Sequence, residues 1–126
     1  MSQLKVLIVD DEVEFATALS ERLRLRNYDS QAVFNIKDAL LIIKNNSYEV
    51  VLLDLEMPGM DGIEVFKIIK QTDPTLDVIM LTGGGKLKNM EEVMQIGAFD
   101  YLMKPVDLGD LIIKINNARK RRSLVK

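Results

Sequence analysis

Short apolar runs in this sequence repeatedly stop at a side chain able to handle charge. Leu7-Ile8-Val9 ends at Asp10-Asp11, Val51-Leu52-Leu53 at Asp54, Ile79-Met80-Leu81 at Thr82, and Tyr101-Leu102-Met103 at Lys104. If these ends meet, three carboxylates, a hydroxyl and an ammonium share one site. Two carboxylates about 4 Å apart repel by roughly 4 kcal/mol at an effective dielectric of 20, so the acids require positive charge beside them. Lys104 supplies one unit. The rest calls for a hard cation, because the ligands are oxygen only, and few carboxylates with room for water suit Mg²⁺. Flanked by Mg²⁺ and Lys104, the Asp54 carboxylate is placed to attack phosphorus while the Thr82 hydroxyl holds an equatorial oxygen. The natural product is an aspartyl phosphate.

Each residue taken singly has a plainer reading. The acid pair suits the positive end of a helix dipole, Asp54 a turn, Thr82 a loop and Lys104 the surface. An acid inside Val-Val-Leu-Leu-Asp-Leu is harder to explain that way, since burying an unpaired charge is costly. Other chemistries are excluded by composition. With no histidine and no cysteine there is no Ser-His-Asp triad, imidazole base, thiolate zinc site or disulfide. Seventeen Lys plus Arg against nineteen Asp plus Glu leaves a net charge of −2, so no global basic footprint invites nucleic acid or a membrane surface. Gly83-Gly84-Gly85-Lys86 is not a Walker loop, because Met80 stands where a glycine is needed and Leu87 where Ser or Thr is needed. Apolar runs such as Val50 to Leu53 are far shorter than the roughly 20 residues that span a bilayer, and no signal-peptide layout precedes the first strand. A soluble, cytoplasmic protein is expected.

The run ends can converge only through a suitable fold, and the rest of the pattern supplies one. Lys5 to Val9, Tyr28 to Val33, Glu49 to Leu55, Asp77 to Leu81 and Tyr101 to Met103 read as strands, the continuous apolar ones as strands buried on both faces. Between them lie helical patterns. Phe15, Leu19 and Leu23 mark a helix ending near Asn27, and Asn35 with Asp38 caps one through Ile43. Asp61 with Glu64 caps one closed by Asp73-Pro74, Asn89 with Glu92 caps a short one ending at Gly97, and Asp107 caps the last. The basic stretch Arg119-Lys120-Arg121-Arg122 fits the dipole of that last helix end better than a nucleic-acid patch. Five strands alternating with five helices predict an α/β fold with a parallel sheet covered on both faces and right-handed crossovers. At 126 residues the chain suits a single domain, with a core over about residues 4–120 and a tail or linker stub at 121–126. Such sheets bind ligands outside the carboxyl ends of their strands, where strand order reverses. All five chemical residues fall there.

Three ordered blocks carry a family resemblance: Leu7-Ile8-Val9-Asp10-Asp11-Glu12, the stretch from Leu53-Asp54-Leu55-Glu56 through Met57-Pro58-Gly59-Met60-Asp61-Gly62, and Gly97-Ala98-Phe99-Asp100-Tyr101-Leu102-Met103-Lys104-Pro105. Over nearly its whole length the chain resembles the receiver domain of bacterial two-component response regulators. The resemblance implies a flavodoxin-like doubly wound fold with sheet order 2-1-3-4-5. It implies Asp54 as phosphoacceptor, Mg²⁺ held by Asp11, Asp54 and the backbone carbonyl of Glu56, and Asp10 acting through water. Thr82 and Lys104 would contact the phosphoryl group, Tyr101 would be the aromatic switch partner, and the Lys104-Pro105 bond would be cis. The donor would be a sensor histidine kinase or phosphotransfer protein, and phosphorylation would remodel the face of helix four, strand five and helix five. A homodimer or partner contact around Lys88, Glu91, Tyr101 and Lys114 is a further expectation; direct nucleic-acid or membrane binding is not.

Two rival functions fit less well. Haloacid-dehalogenase-like phosphatases also form an aspartyl phosphate, but they want a second Asp where Glu56 stands. A constitutive interaction domain would usually have lost one of Asp10, Asp11, Asp54, Thr82 and Lys104, and all are present. The glycine triplet departs from the family in giving Gly84 where a larger side chain is common. It predicts a loop from Gly83 to Lys88 that is loose until phosphorylation, with helix four starting near Asn89.

Overall fold

The computed structural model describes residues 3–83 and 87–124. Its apolar runs become strands β1 (Lys5–Val9), β2 (Asp29–Val33), β3 (Val50–Asp54), β4 (Asp77–Thr82) and β5 (Asp100–Met103). A segment as apolar as Val50 to Leu53, wholly buried, satisfies its backbone only by pairing with strands on both sides. The five strands form one parallel sheet in the order β2-β1-β3-β4-β5. Helices α1 (Val13–Arg24), α2 (Ile36–Asn45), α3 (Gly62–Thr72), α4 (Leu87–Gln95) and α5 (Leu108–Leu124) make the crossovers. This is the expected flavodoxin-like α/β fold.

Alternation along the strands divides the core in two. Leu7, Val9, Val51, Leu53, Val78 and Met80 meet α2, α3 and α4 through residues such as Ala39, Ile43, Phe66, Ile69 and Val93. Val6, Ile8, Val50, Leu52, Ile79 and Leu81 meet α1 and α5 through Leu19, Leu23, Leu111 and Ile115. By the same period of two, Asp10 and Asp54 continue the row facing α1 and α5, and Thr82 continues the row facing α3 and α4.

Local signals account for most boundaries. The Asn35 side chain accepts from the Asp38 N–H at 2.8 Å, a cap of about 1 kcal/mol. Asp107 accepts from the Asp110 N–H at 3.0 Å in the same way. Two helices close through a left-handed residue. At Asn27 (φ 69°) the Tyr28 N–H returns to the Leu23 carbonyl at 3.1 Å, and at Gly97 (φ 118°) the Ala98 N–H returns to Val93 at 2.9 Å.

Three expectations need correction. Asp61 caps α3 by accepting from the Ile63 N–H at 3.0 Å, but Glu64 turns outward to Lys67 at 3.6 Å and does not close a capping box. Asn89 lies inside α4, which begins at Leu87, so it is no cap; the loop expected from Gly83 to Lys88 falls largely at 84–86, outside the described residues. Arg121 is not tail, because α5 continues to Leu124. Its guanidinium pairs with the buried Asp77 carboxylate and lies 5.3 Å from the Phe99 ring. The helix-end reading of the basic stretch holds, with a tertiary partner added.

The turn leading from β3 into α3 has no spare room. A Cβ on Gly62 would lie 2.7 Å from the Leu55 carbonyl oxygen and collide with the Leu55 side chain. Helix propensity favours alanine over glycine by up to about 1 kcal/mol, yet a backbone oxygen cannot yield as a flexible side chain can. Gly62→Ala is expected to destabilise the protein by about 1–3 kcal/mol, read as a lower urea midpoint. An unchanged or higher midpoint would show that the turn relaxes freely.

Candidate functional site

The parallel register brings the strand ends together. Val9 is level with Leu53, Asp54 with Leu81, and Thr82 with Met103. The backbone continues the ladder past the strands, with Leu55 N–H donating to Leu81 O at 2.9 Å and Lys104 N–H to Thr82 O at 2.7 Å. Asp10, Asp54, Thr82 and Lys104 therefore share the carboxyl edge of the sheet beside the reversal of strand order between β1 and β3.

Lys104 sits at the centre of the acids. Its Nζ is 2.8 Å from Asp10 Oδ2, 2.5 Å from Glu12 Oε1 and 3.5 Å from Asp54 Oδ2. The ammonium also lies 4.7 Å from the Phe15 ring centroid, a cation–π contact made from α1. The Lys104-Pro105 bond is cis, as expected. Asp10 is 0% exposed and Asp54 is 4% exposed. Each carboxylate is braced by the chain that follows it, Asp10 Oδ1 accepting from the Glu12 N–H at 2.9 Å and Asp54 Oδ1 from the Glu56 N–H at 2.9 Å.

Burial is the leading influence on Asp54 and pushes its pKa above the ordinary carboxylate value. The Glu56 N–H opposes that shift, Asp10 reinforces it and Lys104 opposes it. Burial also works against the Lys104 ammonium, but its bonds to Asp10 and Glu12 and the charges of Asp10 and Asp54 outweigh it. Its pKa rises above that of an ordinary lysine. Lys104 is charged throughout the neutral range.

The other arm of the site is built on Glu56. Its Oε1 accepts from the Thr82 hydroxyl at 2.6 Å and from the Gly83 N–H at 2.9 Å. Thr82 is 1% exposed, so its hydroxyl is aimed rather than solvated.

Oxygens of Asp10, Glu12 and Asp54 lie within 4.8 Å of one another. An all-oxygen, carboxylate-rich donor set of this size suits a hard divalent cation. Sequence reasoning named Asp10 and Asp54 but placed Asp11, not Glu12, beside them. Asp11 is exposed and does not belong to this group of oxygens, because the chain turns into α1 just after it. The Glu12 side chain and Phe15 carry no expectation for the site in the sequence. A further glutamate directly after Asp10-Asp11 was the available signal for Glu12. Tyr101 is 39% exposed on β5. Lys114 pairs at 2.8 Å with Asp100 across β5 and α5, so it is not a spare charge for a counterpart surface.

The doubly wound sheet and the lysine-centred acids at its carboxyl edge define a class of protein. A family model for the response regulator receiver domain matches residues 6–116, and the chain belongs to that family of two-component signalling domains, which are not turnover enzymes. It is 35% identical over 111 residues to sporulation initiation phosphotransferase F of Bacillus subtilis, covering 88% of this chain and 90% of that protein. It is 33% identical over 122 residues to regulatory protein AtoC of Escherichia coli, covering 97% of this chain but 26% of that protein. The chain thus spans about a quarter of the length of AtoC. The crystal structure of a receiver domain protein from Clostridium thermocellum superposes with a TM-score of 0.91 at 36% identity, covering 98% of this chain and 99% of that one. Among the described residues no helix is long and apolar enough to cross a membrane.

Proposed function

We propose that this receiver accepts a phosphoryl group on Asp54. The observation that carries the reading is a buried carboxylate whose Oδ2 lies 3.5 Å from the Lys104 ammonium, at the edge of the sheet where the acids gather. A carboxylate oxygen of Asp54 forms the new O–P bond as the donor's P–N bond breaks, the bonding pair leaving on the imidazole nitrogen of a phosphohistidine. Lys104 and the Thr82 hydroxyl are the groups of this chain that meet the phosphoryl oxygens. Asp11, Asp54 and the Glu56 backbone carbonyl would hold Mg²⁺, with Asp10 acting through water and Glu12 as a further acid at hand. When bound, the ion neutralises the carboxylates and the charge on the phosphoryl oxygens. The donor is a sensor histidine kinase or a phosphotransfer protein. Capture of the Thr82 hydroxyl by the phosphoryl group, with Tyr101 turning from its exposed position, would shift the surface of α4, β5 and α5 toward a second state. A homodimer formed through that surface would appear in light scattering with a beryllofluoride mimic and not without it.

Mass spectrometry after treatment with acetyl phosphate tests the reading. The mass of one phosphoryl group should appear in Mg²⁺ and be absent with chelator. An unchanged mass in Mg²⁺, or modification that survives Asp54→Asn, would overturn it. The metal has a separate signature. A ligand present at a hundred times its dissociation constant stabilises the folded state by about 2.7 kcal/mol, so Mg²⁺ should raise the thermal midpoint and chelator should reverse the rise. Equal midpoints with and without the ion would remove Mg²⁺ from the site.

A further inference from the structure

We propose that the Glu56 side chain is a positioning residue that competes with the phosphoryl group for Thr82 and Gly83, and so sets how readily the domain activates. The inference rests on Asp54 being the phosphoacceptor. One carboxylate oxygen, Glu56 Oε1, takes both the Thr82 hydroxyl at 2.6 Å and the Gly83 N–H at 2.9 Å. A hydroxyl has a single proton to donate. Thr82 can therefore serve Glu56 or a phosphoryl oxygen, and not both at once. Lys104 differs, because three ammonium protons let it keep Asp10 and Glu12 while adding a further partner.

The glutamate is well placed to act as a substitute anion. Its own N–H is tied to Asp54 Oδ1 at 2.9 Å, which fixes the backbone of Glu56 relative to the acceptor. From there its side chain crosses to the end of β4. The 2.6 Å separation lies in the short range of hydroxyl–carboxylate bonds, the stronger kind. A Cβ on Gly83 would lie 3.4 Å from Glu56 Oε2, so the carboxylate sits directly over this stretch of backbone. Before phosphorylation the Thr82–Gly83 corner is already holding an anion. Activation must exchange one anion for another, and the population free of Glu56 scales the apparent affinity for the incoming group.

The test uses the full chain in Mg²⁺ with beryllofluoride as the phosphoryl mimic, in wild type, Glu56→Ala, Thr82→Ala and the double variant. Glu56 is exposed and the N–H to Asp54 survives the alanine substitution, so the fold is retained. Without mimic, the Gly83 amide should exchange slowly in wild type and faster in Glu56→Ala. With mimic, Glu56→Ala should bind roughly tenfold more tightly than wild type. In the Thr82→Ala background the same substitution should gain at most about threefold, the share left to removing an exposed charge. Equal gains in both backgrounds, no gain at all, or a Gly83 amide indifferent to Glu56 would overturn the competition alone. A wild-type protein that takes no mimic at Asp54 would overturn the phosphoacceptor reading and the competition with it.

Discussion

Asp54→Asn is expected to abolish phosphoryl uptake while making the metal-free protein more stable at neutral pH. Burial is the main reason that Asp54 resists ionisation, and Asp10 adds to it. A carboxyl whose pKa is higher folded than unfolded contributes stability below the unfolded value. That contribution is lost as pH rises through the folded one. At neutral pH the ionised Asp54 is therefore a cost, and asparagine removes the charge with little change of shape. Replacing a poorly compensated buried charge by a neutral group gains about 1–3 kcal/mol, or several degrees in Tm for a chain of this size. The advantage of the variant should shrink on acidification toward the ordinary carboxylate value of 3.8, where wild-type Asp54 also becomes neutral. It should shrink again in Mg²⁺, which pairs with the wild-type carboxylate. Thermal melts of both proteins across pH, with chelator and with Mg²⁺, check the prediction. A variant less stable than wild type in chelator at neutral pH would contradict it.

Lys104→Met should act in the opposite direction. Methionine keeps an apolar stem against Phe15 but removes the ammonium that faces Asp10, Glu12 and Asp54. Asp10 is fully buried, and removing one partner of a buried pair leaves an uncompensated charge at a cost of about 3 kcal/mol or more. The loss should be largest at neutral pH without metal and should be partly recovered by Mg²⁺ or by a second substitution, Asp10→Asn. Urea unfolding of the single and double variants forms a double-mutant cycle. A coupling near zero would mean that Asp10 does not depend on Lys104. Phosphoryl uptake from acetyl phosphate should fall in Lys104→Met even where Mg²⁺ restores stability, because the ammonium also meets the transferring group.

The strands, most caps and the edge of the sheet at which the chemical residues gather are legible in the amino-acid sequence. Val50 to Leu53 is apolar at every position because β3 is covered on both faces, and such a run announces itself without knowledge of its neighbours. Asn35, Asp107 and Gly97 act within a few residues of their own positions, so their roles are local too. The polar residues at the ends of β1, β3, β4 and β5 also follow directly from where their apolar runs stop.

The tertiary structure alone decided which side chains those residues hold. Lys104 reaches Glu12 across 92 positions and Thr82 reaches Glu56 across 26, separations that carry no periodic signal. Glu12, the residue before α1, stands with Asp10 and Asp54, while its neighbour Asp11 is exposed. Arg121 lies in the stretch that the sequence assigns to a tail, yet the start of β4 presents buried Asp77 to it. Asn89 carried the right residue type for a cap, but α4 already begins at Leu87. Crossovers place β4 between β3 and β5, and β1 on the far side of β3, so Thr82 meets Glu56 after the neighbouring strand whereas the long Lys104 side chain reaches the acids after β1 although β4 and β3 lie between.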